Sequence, residues 1–255
     1  MASYLKPSIS IIVPAYNEAK NLKATVDNIL EAADDLFSDY EILIIDCLDK
    51  DGKDDGTPRI ADELAKANSR IRAVHNPYVS LGYKYWQGVS LAKYEYVTWI
   101  PGDNETMPQT IKTIFQAAGK ADIVCSYTMN PEVRPLNLRI FSKLYTAVMN
   151  TLFGLKLRYF NGVSIFKTEL LRLLPQSAKE NTAFSYNAEI LVRLIKAGHN
   201  YIELPQYIRK QETKKAKFFI LGYFLPRYAP LSTIKRIGKL FWAVQIKKEF
   251  VKIKT

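Results

Sequence analysis

Short runs of β-branched and aliphatic residues alternate along the chain with longer stretches whose apolar positions recur every three or four residues. Residues 9–13 and 40–46 read as strands buried on both faces, and Pro14 closes the first. Between them Leu22, Val26, Ile29, Leu30 and Ala33 recur at helical spacing, which predicts a helix over 21–33 with one face on a sheet. The alternation continues with a helix over 57–67, a strand over 71–75, a helix over 81–93, a strand over 96–100, a helix over 108–118 and a strand over 123–127. Beyond these the pattern predicts a helix over 138–153, an extended stretch over 162–166, a helix over 186–197 and a strand over 201–204. Such a succession is that of an α/β fold, a mostly parallel central sheet with helices on both faces. Ligands of open α/β sheets bind beyond the carboxyl ends of the strands, so the segments after strands one, two and four are expected to meet in one crevice.

Hydrophobic residues make up 48% of the chain and charged residues 24%, a balance that supports a packed core and excludes a disordered polymer. The 255 residues suit one domain, 1–205, and an appendage, 206–255. Charge sharpens that division, because the net +11 resides entirely in 206–255 while the body is neutral. In the appendage Leu231, Ile234, Ile237, Phe241 and Val244 recur at helical spacing, with Lys235, Arg236, Lys239, Lys247 and Lys248 between and after them. A basic amphipathic tail of this kind lies in an anionic membrane surface or packs on the body. Nucleic acid is not the expected partner, because the aromatic and apolar residues follow a helical period and form no stacking platform.

No uninterrupted apolar stretch approaches the ~20 residues that a spanning helix needs. With two cysteines and no apolar run after the first Met, the expected location is cytoplasmic, peripheral on the cytoplasmic face of a membrane. His75 and His199 have no Cys or His at ligand spacing, which excludes a zinc site of the common kinds.

The sharpest chemical feature is Gly102-Asp103-Asn104-Glu105, two carboxylates at i, i+2 directly after a strand. Hard divalent cations take oxygen ligands and can hold a diphosphate while leaving positions for phosphate and water, so Asp103 and Glu105 are candidate ligands for Mg²⁺ or Mn²⁺. A cation there also stabilises charge growing on a leaving phosphate. Upstream stand Ser10-Ile11-Ile12-Val13-Pro14-Ala15-Tyr16-Asn17-Glu18, then Glu41 to Asp46, then Asp54-Asp55-Gly56-Thr57, and then Leu81-Gly82-Tyr83-Lys84-Tyr85-Trp86-Gln87-Gly88.

In this order and spacing the segments resemble the inverting glycosyltransferases of family 2, which have the GT-A fold, and in particular the branch that makes polyprenyl- or dolichol-phosphate sugars. The resemblance implies a donor-nucleotide wall at Pro14, Tyr16 and Glu18, with Asp46, Cys47, Gly82 and Asp103 also on the donor side. It also implies a metal site at Asp103 and Glu105, where Glu replaces the family's second Asp. The donor is expected to be a UDP- or GDP-linked sugar, and the acceptor a lipid phosphate or lipid-linked glycan. Acceptor-phosphate binding falls to Arg134, Arg139, Ser142 and Lys217, with Arg139 also a catalytic candidate. Glu189 matches an acidic position of the family, as general base for a hydroxyl acceptor or as an orienting group for a phosphate.

Three positions depart from the family pattern. Cys47 stands where a base-reading carboxylate is usual, and a thiol accepts hydrogen bonds only weakly; Asp49 and Asp51 are candidate substitutes. Met107 replaces a residue that is often polar near the metal, and Asn161-Gly162-Val163-Ser164 stands where Ser-Gly-Phe-Arg is common, without the acid before it. The expected function is metal-dependent, inverting hexose transfer. A non-catalytic nucleotide- or lipid-binding scaffold of the same fold is the alternative that these departures favour.

Overall fold

The structure, a computed structural model, describes residues 6–47, 54–181, 183, 185–210 and 230–251, and the side chains of 230–232 are not among those described. Seven strands form one sheet in the order β3-β2-β1-β4-β6-β5-β7. They are β1 (Ser8–Pro14), β2 (Asp39–Cys47), β3 (Ile71–Asn76), β4 (Tyr96–Trp99), β5 (Ile123–Thr128), β6 (Ser164–Lys167) and β7 (Tyr201–Gln206). All pairings are parallel except those of β6, which runs antiparallel to both β4 and β5.

Alternation along β1 and β2 distributes the side chains between two cores. Ile9, Ile11, Val13, Ile42 and Ile44 enter one, with α1 (Leu22–Ala33), α2 (Thr57–Ala67) and α4 (Pro108–Phe115). Ile12, Leu43 and Ile45 enter the other, with α3 (Leu81–Leu91), α5 (Leu136–Phe153), α6 (Thr168–Leu173) and α8 (Tyr186–Lys196). Helices therefore cover both faces, because a strand with period-two side chains buried on both sides needs a partner layer on each.

The second half of the chain deviates most from the expected elements. The extended stretch begins at Ser164 instead of 162 and runs antiparallel. Gly162 sits so close to β5 that a Cβ there would lie 2.0 Å from the Ser126 carbonyl oxygen, and this approach sets the entry into β6. The helices α6 and α7 (Gln176–Lys179) have no counterpart in the sequence reading, being too short to show a period. The last helix, α9 (Pro230–Phe241), continues into a π turn at Trp242–Ile246. Its apolar face packs on the body: Leu240 and Val244 are buried in the second core, and Ile237 and Phe241 lie against it. Of the two settings expected for the tail helix, the described residues show packing. No helix among the described residues is long and apolar enough to cross a membrane.

Candidate active site

The exits of β1, β2 and β4 are bound together at the carboxyl end of the sheet by their own backbones. Ala15 N–H donates to the Ile45 carbonyl at 3.0 Å, and Gly102 N–H donates to the Pro14 carbonyl at 3.1 Å. A side chain at Gly102 would meet the Ala15 Cβ at 3.2 Å, so glycine lets the two loops close. The acidic loop joins them, with Thr57 Oγ1 accepting from Glu18 N–H at 2.8 Å and Asp55 accepting from Ala19 N–H at 3.1 Å. Burial alone would raise the Asp55 pKa, but the bonds from Thr57 and the Ala19 backbone outweigh it and hold the pKa below the usual carboxylate value.

Asp103 and Glu105 sit half-buried on this rim. Asp103 Oδ1 accepts from Glu105 N–H at 2.9 Å, and Asn104 between them takes the left-handed conformation at φ 56°. That conformation turns both neighbours along one edge of the loop, and Asn is among the few non-glycine residues that adopt it readily. Asn104 is held from two sides, by Asn28 Nδ2 at 3.1 Å and by Arg209 Nη1 at 2.6 Å. Arg209 N–H also donates to the Glu105 carbonyl at 2.8 Å, so the segment after β7 straps the acidic loop.

Arg134 forms the opposite wall. Its Nη2 lies 2.9 Å and its Nε 3.2 Å from Glu105 Oε1, and its Nη1 is 3.2 Å from the Tyr159 hydroxyl. Although burial opposes the charge, Tyr159 and Glu105 raise the Arg134 pKa above its ordinary value. A residue expected on the acceptor side thus touches a residue expected on the metal. Arg139 and Ser142 follow on the first turns of α5, both half-buried. Lys217 lies outside the described residues, as do Asp49 and Asp51.

On the donor side Pro14, Cys47 and Gly82 are buried and Tyr16 and Glu18 half-buried. Asp46 is fully buried and accepts from His75 Nδ1 at 2.8 and 2.9 Å, while His75 Nε2 is 3.2 Å from Asp62. Burial raises the Asp46 pKa despite the bond to His75, and the two carboxylates raise the His75 pKa against its own desolvation. Asp46 therefore holds β3 to β2 through His75.

Glu189 stands elsewhere. It is 2% exposed near the start of α8 and accepts from Arg193 Nε at 3.0 Å, Asn181 Nδ2 at 2.8 Å and Arg236 Nε of α9 at 2.8 Å. Arg193 in turn donates to the Glu249 carbonyl, so the acid fastens the tail helix.

The motifs gave no role to Tyr159 or Lys84, while Arg209 opens the stretch 209–217 that resembles a basic loop of the family. Lys84 carried a signal, being the sole charge in the segment Leu81–Leu91. Tyr159 carried none, since it reaches the site only through the packing of the loop after α5.

Asp103 and Glu105 offer oxygen donors alone, which suits a hard divalent cation. Among the described residues no group of three or more His, Cys, Asp or Glu converges to hold a metal, so a cation on this pair would draw its remaining ligands from phosphate and water.

The profile of glycosyl transferase family 2 matches residues 10–172. The chain is 25% identical over 218 residues to the polyprenol monophosphomannose synthase of Mycolicibacterium smegmatis, covering 81% of this chain and 79% of that protein. It is 22% identical over 218 residues to the undecaprenyl-phosphate mannosyltransferase of Micrococcus luteus, covering 81% and 85%. To glycosyltransferase AglD of Haloferax volcanii it is 26% identical over 206 residues, 77% of this chain but only 32% of that protein. The chain thus spans about a third of one curated relative and most of the other two. In fold it is similar to glucosyl-3-phosphoglycerate synthase of Mycobacterium tuberculosis in complex with Mn²⁺, UDP and glucosyl-3-phosphoglycerate, with a TM-score of 0.58, 16% identity, and 97% and 82% of the chains covered. Two of the relatives carry the names of polyprenyl-phosphate sugar synthases, in keeping with the resemblance seen in the motifs. Matched across well over half its length, with its sheet folded as in these transferases, the chain belongs to glycosyltransferase family 2 and has the GT-A fold.

Proposed function

We propose that this chain moves a hexose, with inversion, from a nucleotide-diphosphate sugar to a polyprenyl phosphate or lipid-linked glycan. The observation that carries this reading is the junction of Glu105 with Arg134, which puts a carboxylate suited to the donor's cation within 2.9 Å of a guanidinium suited to an acceptor phosphate. A divalent cation held by Asp103 and Glu105 would supply charge stabilisation for the leaving diphosphate. Tyr16, Pro14 and Glu18 bound the nucleotide, and Arg134 and Arg139 orient the attacking phosphate by paired N–H donors. A phosphate nucleophile is already an anion and needs no base, and Glu189, bound to two arginines, acts as a positioning residue for the tail helix.

Peripheral contact with an anionic membrane belongs to the same proposal. Leu136, Ile140, Leu144 and Val148 recur every fourth residue along α5 and are all exposed, a stripe that begins beside Arg134 and Arg139. Such a stripe, with Lys143 within it, suits a lipid interface where an acyl acceptor resides.

The test is donor turnover with a panel of nucleotide sugars and polyprenyl phosphate, with and without Mn²⁺. Transfer that persists in chelator, or transfer only to soluble acceptors, overturns the reading. The ion pair between Arg134 and Glu105 also favours a second reading, a nucleotide-binding scaffold without turnover. Nucleotide binding with no transfer to any acceptor would support that one instead.

A further inference from the structure

The donor crevice contains a cation that the function above does not use. Lys84 lies on the first turn of α3 and is 1% exposed. Its ammonium donates to the Ala15 carbonyl and lies 5.6 Å from the centroid of the Tyr16 ring. Cys47 and Asp46, at the exit of β2, act on it electrostatically. Behind them His75 of β3 occupies both oxygens of Asp46, and Asp62 of α2 caps the far side of His75.

An ammonium carries three donors, and among the described residues one carbonyl and an aromatic face leave it short of acceptors. No salt bridge to Lys84 is present among the described residues, since Asp46 is committed to His75. Burial accordingly drives its pKa down to about 8, only partly opposed by Cys47 and Asp46. An apolar side chain of similar length would fill this position without that penalty. The cost falls where the wall residues Ala15, Tyr16 and Cys47 meet.

The neighbouring thiol sharpens the point. A carboxylate at Cys47 would read a base by accepting its imide N–H, whereas a thiol accepts poorly. A hydrogen-bond donor can read the base in its place, and among the described residues Lys84 is a donor placed at this wall.

We propose that Lys84 reads the nucleobase of the donor, its ammonium donating to a ring carbonyl oxygen of the base that packs on Tyr16. Uracil and guanine bear such an oxygen and are accepted. Adenine bears an amino group where guanine has its oxygen, and its acceptors are ring nitrogens, so seating it would set donor against donor at the carbonyl position. The inference rests on the donor reading given above and goes beyond it by naming the residue that selects the base class.

Calorimetric titration of the full chain with UDP, GDP and ADP in the presence of Mn²⁺, and with uridine alone, tests it. UDP or GDP should bind about 10- to 100-fold more tightly than ADP, the range expected of one hydrogen bond to a charged group. Lys84→Met should reduce that ratio to near one and weaken uridine, while ADP affinity and the melting temperature hold or rise. Loss of affinity for UDP, ADP and inorganic pyrophosphate alike would make Lys84 a phosphate contact and overturn the inference. So would wild-type protein that binds ADP as tightly as UDP and GDP, a result that needs no variant and leaves the donor reading standing. Failure of every nucleoside diphosphate to bind would overturn the donor reading, and this inference with it.

Discussion

The stretch from β1 to β4 and the stretch from β5 to α9 bury their apolar residues in different ways. In the first, strands are covered on both faces and their exit loops are tied by backbone hydrogen bonds at about 3 Å, to which Thr57, Asp55 and Asn28 add side-chain bonds. In the second, an antiparallel strand interrupts the sheet, α6 and α7 are short, and α5 leaves an apolar stripe in the open. There the tail is fixed by side chains, chiefly the buried cluster of Glu189, Arg193 and Arg236. On the proposed function, the diphosphate is common to every donor, and a crevice whose strand exits are joined by backbone suits it. Acceptors vary, and a half built from side chains and an exposed helix face is the half that can vary with them.

The largest effect should come from the donor rim. Asp103→Asn keeps the shape of the loop and removes a charge, and turnover is expected to fall by about 10²–10³-fold, the scale of lost electrostatic stabilisation. The melting temperature should not move, and an assay of donor consumption beside a thermal melt checks both. Retained turnover would remove the donor half's claim to the chemistry.

Next comes the acid of the second half. Glu189→Ala leaves Arg193 buried without its partner, a change that costs about 3–5 kcal/mol in urea unfolding. Glu189→Gln should cost less and spare turnover per folded molecule. A collapse of turnover at unchanged stability would instead make Glu189 a general base and blur the contrast between the halves.

A smaller effect is expected at the exposed stripe. Ile140→Asp combined with Leu144→Asp should lower binding to anionic vesicles by roughly tenfold or more, because each side chain forfeits part of the about 1.5–3 kcal/mol that full burial of such a residue contributes. Both residues are solvent-exposed, so unfolding should be nearly unaffected. Unchanged vesicle binding would assign the stripe to something other than lipid.

The smallest effect concerns pH at the edge of the first half. His75 and Asp46 both have folded pKa values above their ordinary ones, so the fold binds each proton more tightly than the unfolded chain does. The contribution of His75 is therefore complete below about 6.5 and is lost as pH rises through its higher folded value. Asp46 acts in the same sense above about 3.8, where ionising it in a buried site subtracts from stability. His75 is partly exposed and solvent screens it, so its share should stay below about 1 kcal/mol. Chemical denaturation from pH 6 to 8, compared with His75→Gln, reads the slope; a wild-type slope that rises with pH contradicts the assignment.

The legibility of the sequence follows the same division. Strands β1 to β5 and the helices between them stood in the hydrophobic pattern within a few residues, because elements buried on one face or two must repeat at their own period. Asp103, Glu105 and Tyr16 were legible as neighbours because they follow strands β4 and β1, which pair in parallel and end at one edge of the sheet. Lys84 was visible only as an odd charge in an apolar helix, and nothing in the order of residues said that Ala15, Tyr16 and Cys47 would surround it. Arg209 lies far from Glu105 along the chain and meets it where the segment after β7 packs, and Tyr159 reaches it only by way of Arg134.

Periodicity determined the class of fold, and the order and spacing of the motifs, by their resemblance, pointed to the family, since each depends on local order alone. Which carboxylate is bound by an arginine, which acid fastens the tail, which face of α9 is buried and which of α5 is open were decided by tertiary structure. Those outcomes depend on long-range packing and on competition for a limited number of buried hydrogen-bond partners, and neither is written in the spacing of residues along the chain.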